Sequence, residues 1–310
     1  MTKYVIKRLL GMIPTVLIII TLSFFIVRVA PGGPFDGERA LPEVVKKNIE
    51  AKYHFNEPLL KQYGRYMLDV LRGDLGPSYK YKDHDVNYLI GNSLPNSLVL
   101  GSIAMVVALF FGISLGIIAA VKQNTLLDYI PMSLAALGLS VPLFVVAPLL
   151  QNVFTMHWKL FPTTGWFMDG VAPLKTMVLP VIALSFAYYA DIARLTRSSM
   201  LETLRSDYIR TAKAKGMKNS TIIFKHAMKG AMLPIVSYLG PAFAGILTGS
   251  IVVEQVFIVP GLGKFFVQSS FNRDYTLIVG VVIVYSVILV LMNFIVDIVY
   301  AQLDPRITYK

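Results

Sequence analysis

Residues 194–216 read Arg-Leu-Thr-Arg-Ser-Ser-Met-Leu-Glu-Thr-Leu-Arg-Ser-Asp-Tyr-Ile-Arg-Thr-Ala-Lys-Ala-Lys-Gly, and the polar run continues to His226-Ala-Met-Lys-Gly-Ala-Met-Leu-Pro234. Nine basic residues lie between Arg194 and Lys229 against only Glu202 and Asp207, so about +7 of the chain's formal +11 gathers here. The flanking stretches, roughly 174–196 and 232–254, are each long enough to cross a hydrocarbon core, which takes about 20 mostly apolar residues. A basic segment between two such stretches is what the positive-inside bias places in the cytoplasm.

Within segment 198–231, Ser206 or Asp207 can cap a short helix, Tyr208 to Lys215. Gly216 ends it where a left-handed residue is wanted. Ser220 then opens a second helix directed at Pro234 and the next span. Eight helical residues cover about 12 Å, and so short a helix is marginal in water because nucleation is costly. Tertiary or partner contacts must hold it. Thr211, Ala212 and Ala214 are small enough to admit another surface, and Arg210, Lys213 and Lys215 supply charge.

Working outward, the 310 residues are 55% hydrophobic and 15% charged, with mean hydropathy +0.62 and no Cys. A soluble nucleic-acid binder accounts for the charge but not the hydropathy, and a disordered polycation lacks so much Leu, Ile, Val and Phe. The absence of Cys excludes disulfides, thiolate metal sites and a cysteine nucleophile. Six apolar stretches stand near 9–30, 96–121, 129–154, 174–196, 232–254 and 276–300. The first is expected to be a retained helix rather than a signal peptide, being long and carrying Arg28 near its end. With Lys3, Lys7, Arg8, Lys122, Arg306 and Lys310 on the side of the basic segment, both termini are cytoplasmic. The outer loop 31–95 balances nine basic against nine acidic residues. In it Asn56 can cap a helix with Pro58 in its first turn, after which Leu59, Tyr63, Tyr66, Met67 and Val70 recur at helical spacing until Gly73 stops it, a helix expected to pack on the outer ends of the spans.

Charges inside spans usually mark ion or substrate paths. Here Asp191 can pair with Arg194 on one helical face, while Arg28, Glu254 and Asp297 stand near span ends where they can reach the interface. None sits at mid-bilayer, which disfavours a proton-relay transporter. Gly112 and Gly116, and Gly245 and Gly249, have the small-x3-small spacing of closely packed membrane helices. Pro142, Pro148, Pro180, Pro234 and Pro241 fall in or at the start of spans, where kinks are tolerated. Static packing and pivoting of these helices both fit the pattern. No phosphate-cradling Gly-x4-Gly-Lys-[Ser/Thr] occurs: at Lys175-Thr176 the glycine positions hold Leu174 and Asp169. Asp83-His84-Asp85 reads as a solvated turn before it reads as a metal site.

Segment 194–234 resembles the cytoplasmic loop of binding-protein-dependent ABC importer permeases, whose motif runs Glu-Ala-Ala, three residues, then Gly. Arg210, Thr211 and Ala212 take the first places and Gly216 the last; the Glu is missing, a departure shared with the peptide-transporting branch. Further resemblance to B-type permeases of oligopeptide and dipeptide importers lies in Arg28-Val-Ala-Pro-Gly-Gly-Pro34, Pro34-Phe-Asp-Gly-Glu-Arg-Ala-Leu-Pro42, Asn48-Ile-Glu-Ala-Lys-Tyr-His54, Gly73-Asp-Leu-Gly76, Tyr81-Lys-Asp83, Phe161-Pro-Thr-Thr-Gly165, Val259-Pro-Gly-Leu-Gly263 and Asp304-Pro-Arg306. The resemblance implies an all-α, six-span type I permease fold in the bacterial inner membrane. Its regions would be 1–93 (first span and outer loop), 94–303 (five-helix core) and 304–310 (cytoplasmic tail). It also implies a non-catalytic subunit that pairs with a homologous C-type permease, takes peptide from an extracytoplasmic binding protein and binds no cofactor itself, ATP and Mg being held by two cytoplasmic ATPases. Coupling to them would fall on Asp207, Tyr208, Arg210, Thr211, Ala212, Lys213, Ala214, Lys215 and Gly216, and pivoting on Gly112, Gly116, Gly245, Gly249, Pro234 and Pro241. Dipeptide, nickel and glutathione importers share this permease type, and an autonomous channel or secondary transporter is the reading from another class.

Overall fold

The computed structural model describes residues 2–29, 55–81, 83–162, 166 and 173–303. The motifs at 30–54, the end of Phe161-Pro-Thr-Thr-Gly165, Lys82 and the tail 304–310 lie outside the described residues. In order come α1 (Thr2–Val29), α2 (Leu59–Leu71), α3 (Val86–Val121), α4 (Leu126–Ser140), α5 (Leu143–Gln151), α6 (Pro173–Leu204), α7 (Asp207–Ala214), α8 (Met228–Phe257), α9 (Leu262–Asn272) and α10 (Tyr275–Leu303). A π-helical turn, Asn152–His157, extends α5; another, Ile222–Ala227, joins a single turn at Asn219–Thr221 to α8. α3 runs without a break across 93/94, where the sequence suggested a regional boundary.

Five of these helices are long and apolar enough to cross a membrane. The sixth stretch, expected as one span over 129–154, is a broken pair, Leu126–Ser140 and Leu143–His157, bent by 109°. The cause is local. A residue before proline is pushed out of the α region, and Val141 ahead of Pro142 is extended at φ −95°, ψ 118°. Pro180, Pro234 and Pro241 lie inside helices that continue through them.

The most extensive packing is α3 against α6, and its glycines permit the close approach. A Cβ on Gly112 would stand 2.7 Å from Ile192 Cγ2, and one on Gly116 would stand 2.7 Å from the Ala193 carbonyl oxygen. Around this seam Leu100, Leu184, Ile192, Ile235, Ile246 and Leu247 are fully buried. Gly245 faces the Tyr188 hydroxyl, 2.9 Å from where its Cβ would lie. The surroundings of Gly249 lie outside the described residues.

The outer end is folded onto the bundle. In α2, Tyr66, Met67 and Val70 pack with Ile20 of α1 and Val279 and Ile283 of α10. Its first residue is Leu59, and Pro58, at ψ 139°, takes the capping position outside the helix, so Asn56 does not cap it as expected and no side chain does. Arg28 stacks over Phe24 at 4.5 Å and Phe55 at 5.1 Å and donates to Gln62, so it is engaged by protein at its span end. Buried Asp274, ahead of α10, accepts from the Ser78 hydroxyl and the Tyr79 N–H at 3.2 Å, fastening the outer loop. Burial and the charge of Asp274 push the Tyr81 phenol above its ordinary pKa, and its hydroxyl donates to Gln268 at 2.6 Å.

Glu254 overturns one expectation. It does not reach the interface but is 2% exposed, accepting from the hydroxyls of Ser97 and Ser250 (each 2.7 Å) and from the Gly263 N–H (2.8 Å). Ser97 in turn accepts from the Leu262 N–H at 2.8 Å. Val259-Pro-Gly-Leu-Gly263 is therefore a wrap around one carboxylate placed at the positive end of α9, where a negative charge is stabilised. A span-end position offered the choice between interface and protein; the serines at 97 and 250 decide it by supplying donors.

Candidate functional site

The opposite end of the bundle carries the basic segment. Ser206 precedes α7 with extended backbone, φ −69°, ψ 155°, although its hydroxyl donates back to Thr203 rather than capping the helix. At the other end Gly216 adopts φ +70°. Its N–H bonds the Lys213 carbonyl at 2.9 Å and that of Met217 bonds the Ala212 carbonyl at 3.3 Å. These two bonds form a Schellman closure, which a left-handed glycine permits without steric cost.

A hydrophobic anchor holds this short helix. Ile209 is fully buried and Ala212 is 7% exposed, packed with Ile117 and Ala120 of α3, Met200 of α6 and Ile222 and Ala227 ahead of α8. Met217 closes the same cluster. Ala212 thus faces its own chain, which corrects its assignment as an approach surface for a partner: a small residue serves internal packing here. Asp207, Tyr208, Arg210, Thr211, Lys213, Ala214, Lys215 and Gly216 are exposed together. Asp207 and Arg210 stand 4.0 Å apart on almost bare side chains, a contact worth little in water. The charge of this exposed face is therefore little neutralised by that contact. The second helix of the segment begins at Asn219, with Lys218 rather than Ser220 before it.

A second tether lies beside it and escaped the sequence reading. Arg197 of α6 forms a bidentate pair with Asp128 at the start of α4, 2.6 and 2.7 Å, and Asp128 also accepts from the Asn124 N–H at 3.0 Å. The Asp128 side chain is 2% exposed. This pair locks the turn between α3 and α4 onto α6. Nothing in the spacing of two residues 69 apart announces it. The available signal was an acid in the first turn of an apolar helix, where it also favours the helix dipole. The pair Asp191–Arg194 forms as expected at 3.2 Å, and Asp191 also accepts from the Tyr238 hydroxyl of α8 at 2.9 Å. Asp128→Ala should lower the thermal midpoint of the purified protein, at a cost on the order of 3 kcal/mol, because Arg197 loses its charged partner. Scanning fluorimetry in detergent checks this; an unchanged midpoint refutes it.

The bundle thus carries, at the end where basic residues gather, a short charged helix pinned by one apolar face. Residues 112–309 match the family described as binding-protein-dependent transport system inner membrane component, and the chain belongs to that family. Among its relatives, the oligopeptide transport system permease protein OppB of Salmonella typhimurium is 52% identical, over 100% of both chains. That of Haemophilus influenzae is 50% identical over 100% of both, and the dipeptide transport system permease protein DppB of Bacillus subtilis is 48% identical over 99% of this chain and 98% of its own. The fold is shared with the inward-facing MetNI methionine ABC transporter, at TM-score 0.57 and 14% identity over 70% of this chain and 97% of that one. An amino acid ABC transporter solved with histidines gives TM-score 0.52 and 18% identity over 69% and 94%. The chain is a multi-pass inner-membrane permease subunit of the peptide-importer kind.

Proposed function

We propose that this chain forms half of the path by which oligopeptides, handed over by an extracytoplasmic binding protein, reach the cytoplasm. The other half is a homologous C-type permease, and ATP with Mg is bound and hydrolysed on two cytoplasmic ATPases. The observation that carries this reading is α7, fixed to the bundle through Ile209 and Ala212 while Tyr208, Arg210, Lys213 and Lys215 stay outward. An ATPase that grips the outward face pulls on α3, α6 and α8 through the inward one. Gly112, Gly116 and Gly245 are where these helices lie close enough to pivot on one another, with Pro234 and Pro241 softening α8. Full-length identity to OppB proteins supports oligopeptides as cargo; the 48% identity to a DppB supports dipeptides as the second reading.

The test is uptake by proteoliposomes containing both permeases, both ATPases and the binding protein. Peptides longer than two residues should accumulate inside only with ATP present, and faster than dipeptides. Equal or greater dipeptide uptake favours the second reading. Solute movement by this chain alone, without ATPases, overturns both.

A further inference from the structure

The side chains of α2 fall into three strips along the helix. One packs inward. The Tyr63 and Thr21 hydroxyls hydrogen-bond at 2.8 Å, the Tyr63 ring meets Phe24 and Phe25 at 5.5 and 5.4 Å between centres, and Tyr66 stacks on Phe24 at 5.5 Å. A second strip is apolar and bare: Leu60, Leu68 and Leu71 follow at helical spacing on one flank, 77%, 57% and 69% exposed. Gly64 lies between them, and a Cβ on it would meet nothing within 4 Å. The third strip, on the other flank, carries Lys61, Arg65 and Arg72, of which the first two pair with Glu57 at 3.6 and 3.0 Å. A helix with one face packed and the rest in water is polar on what remains. α2 gives one flank to bases and the other to leucine.

The inward contacts also set the level of α2. Residues 9–27 of α1 and 275–296 of α10 carry no charge, and both stretches belong to helices apolar enough to cross a membrane. At 1.5 Å per residue, Phe24 lies about 6 Å and Thr21 about 10 Å below Arg28 along α1. Met67 and Val70 of α2 pack with Ile20, Val279 and Ile283. On the same scale Val279 and Ile283 lie about 8 and 14 Å below Asp274. α2 is therefore held beside the apolar parts of two spans, not above their ends. On the side of α1 turned away from Ile20, Leu22 and Ile26 stand at this same level, 54% and 66% exposed, as hydrocarbon-facing residues do.

Leucines on one flank, bases on another, little net hydrophobicity and a depth of about 5–10 Å describe a helix lying in the membrane interface. We infer that α2 is such a helix in the outer leaflet, with Leu60, Leu68 and Leu71 among acyl chains and Lys61 and Arg72 at the headgroups. A protein arriving from the aqueous side would have to displace lipid to reach leucines at that depth, which favours lipid as their cover. The outer loop is then anchored twice, by Asp274 to the bundle and by α2 to the bilayer. The inference is independent of the cargo and of the coupling role of α7.

Because the chain has no cysteine, a nitroxide can be placed at one position at a time in the assembled transporter, its partner chains made cysteine-free, in liposomes of phosphatidylethanolamine and phosphatidylglycerol. Leu60→Cys, Gly64→Cys and Leu68→Cys sample the leucine flank; Lys61→Cys and Arg72→Cys sample the basic one. Power saturation compares collisions with oxygen, which concentrates in hydrocarbon, and with a nickel chelate, which stays in water. Oxygen should dominate at 60, 64 and 68 and the chelate at 61 and 72, so that the order reverses within the single step from 60 to 61. Gly64→Cys adds its side chain to open space and keeps the comparison valid where a leucine variant folds poorly. Dominance of the chelate at 60, 64 and 68 would place the flank in water and overturn the inference. Exclusion of both reagents there, with or without loaded binding protein, would mean that protein covers the leucines, and overturns it equally.

Discussion

Ala212→Glu in the assembled importer should cut ATP-dependent peptide uptake by roughly tenfold or more while leaving the chain inserted in the membrane. Ala212 is 7% exposed within the cluster that joins α7 to α3, α6 and the start of α8. A carboxylate there must either be buried unpaired, at about 3–5 kcal/mol, or swing α7 off its seat. Both exceed the 1.4 kcal/mol that corresponds to a tenfold change. Gly216→Pro should give the same result by another route. The backbone at 216 sits at φ +70°, whereas proline is locked near −65°, so the Schellman closure opens and α7 loses its end. Arg210→Ala, on the exposed face, leaves the seat intact and should change ATPase affinity rather than insertion or fold. Uptake, ATPase stimulation by loaded binding protein and co-purification of the ATPases separate these effects. Full peptide-stimulated ATPase activity in Ala212→Glu would sink the coupling assignment.

The second large effect is expected far from α7, at Glu254. Glu254→Ala strips the acceptor from Ser97, Ser250 and the Gly263 N–H at once. An unsatisfied buried group costs about 1–3 kcal/mol, so the loss should amount to roughly 3 kcal/mol or more even if one hydroxyl finds a carbonyl. Gly261→Ala should be comparably damaging, because its Cβ would run into the Glu254 carboxylate itself. The double variant Glu254→Ala/Gly261→Ala is diagnostic: with the carboxylate gone the new methyl has room, and the two costs should fall short of their sum. Thermal midpoints of the four proteins complete the cycle. Strict additivity would mean that the glycine is needed for some reason other than the acid.

These sites differ in how far they could be read from residues alone. The spans, the side on which charge collects and the stop at Gly216 each depend on neighbours in sequence, so periodicity and composition reveal them. Asp128 with Arg197, Ser78 with Asp274, and Ser97 with Glu254 depend on elements that meet only after the bundle has packed. Their separations run from 69 to 196 residues. Glu254 is instructive because its local pattern was visible. An acid followed by Val259-Pro-Gly-Leu-Gly263 marks a tight wrap, yet whether the acid turns inward or toward headgroups is decided by Ser97 on another helix. Ala212 fails the same way: small size permits contact on either side of α7, and only the position of Ile209 beside it shows which side is taken.

The break at Val141-Pro142 has a consequence for the assembled transporter. α4 rises about 22 Å over its 15 residues, short of the roughly 30 Å hydrocarbon core, so by length alone it would end before crossing. The last carbonyls of one helix and the first amides of the next are left there without intrahelical partners. Lipid tails offer such groups nothing, and irregular backbone at that level survives only against protein or water. If the turn at Ser140–Pro142 lies within the bilayer, it is a shoreline, a corner at which protein or water rather than lipid must meet the backbone.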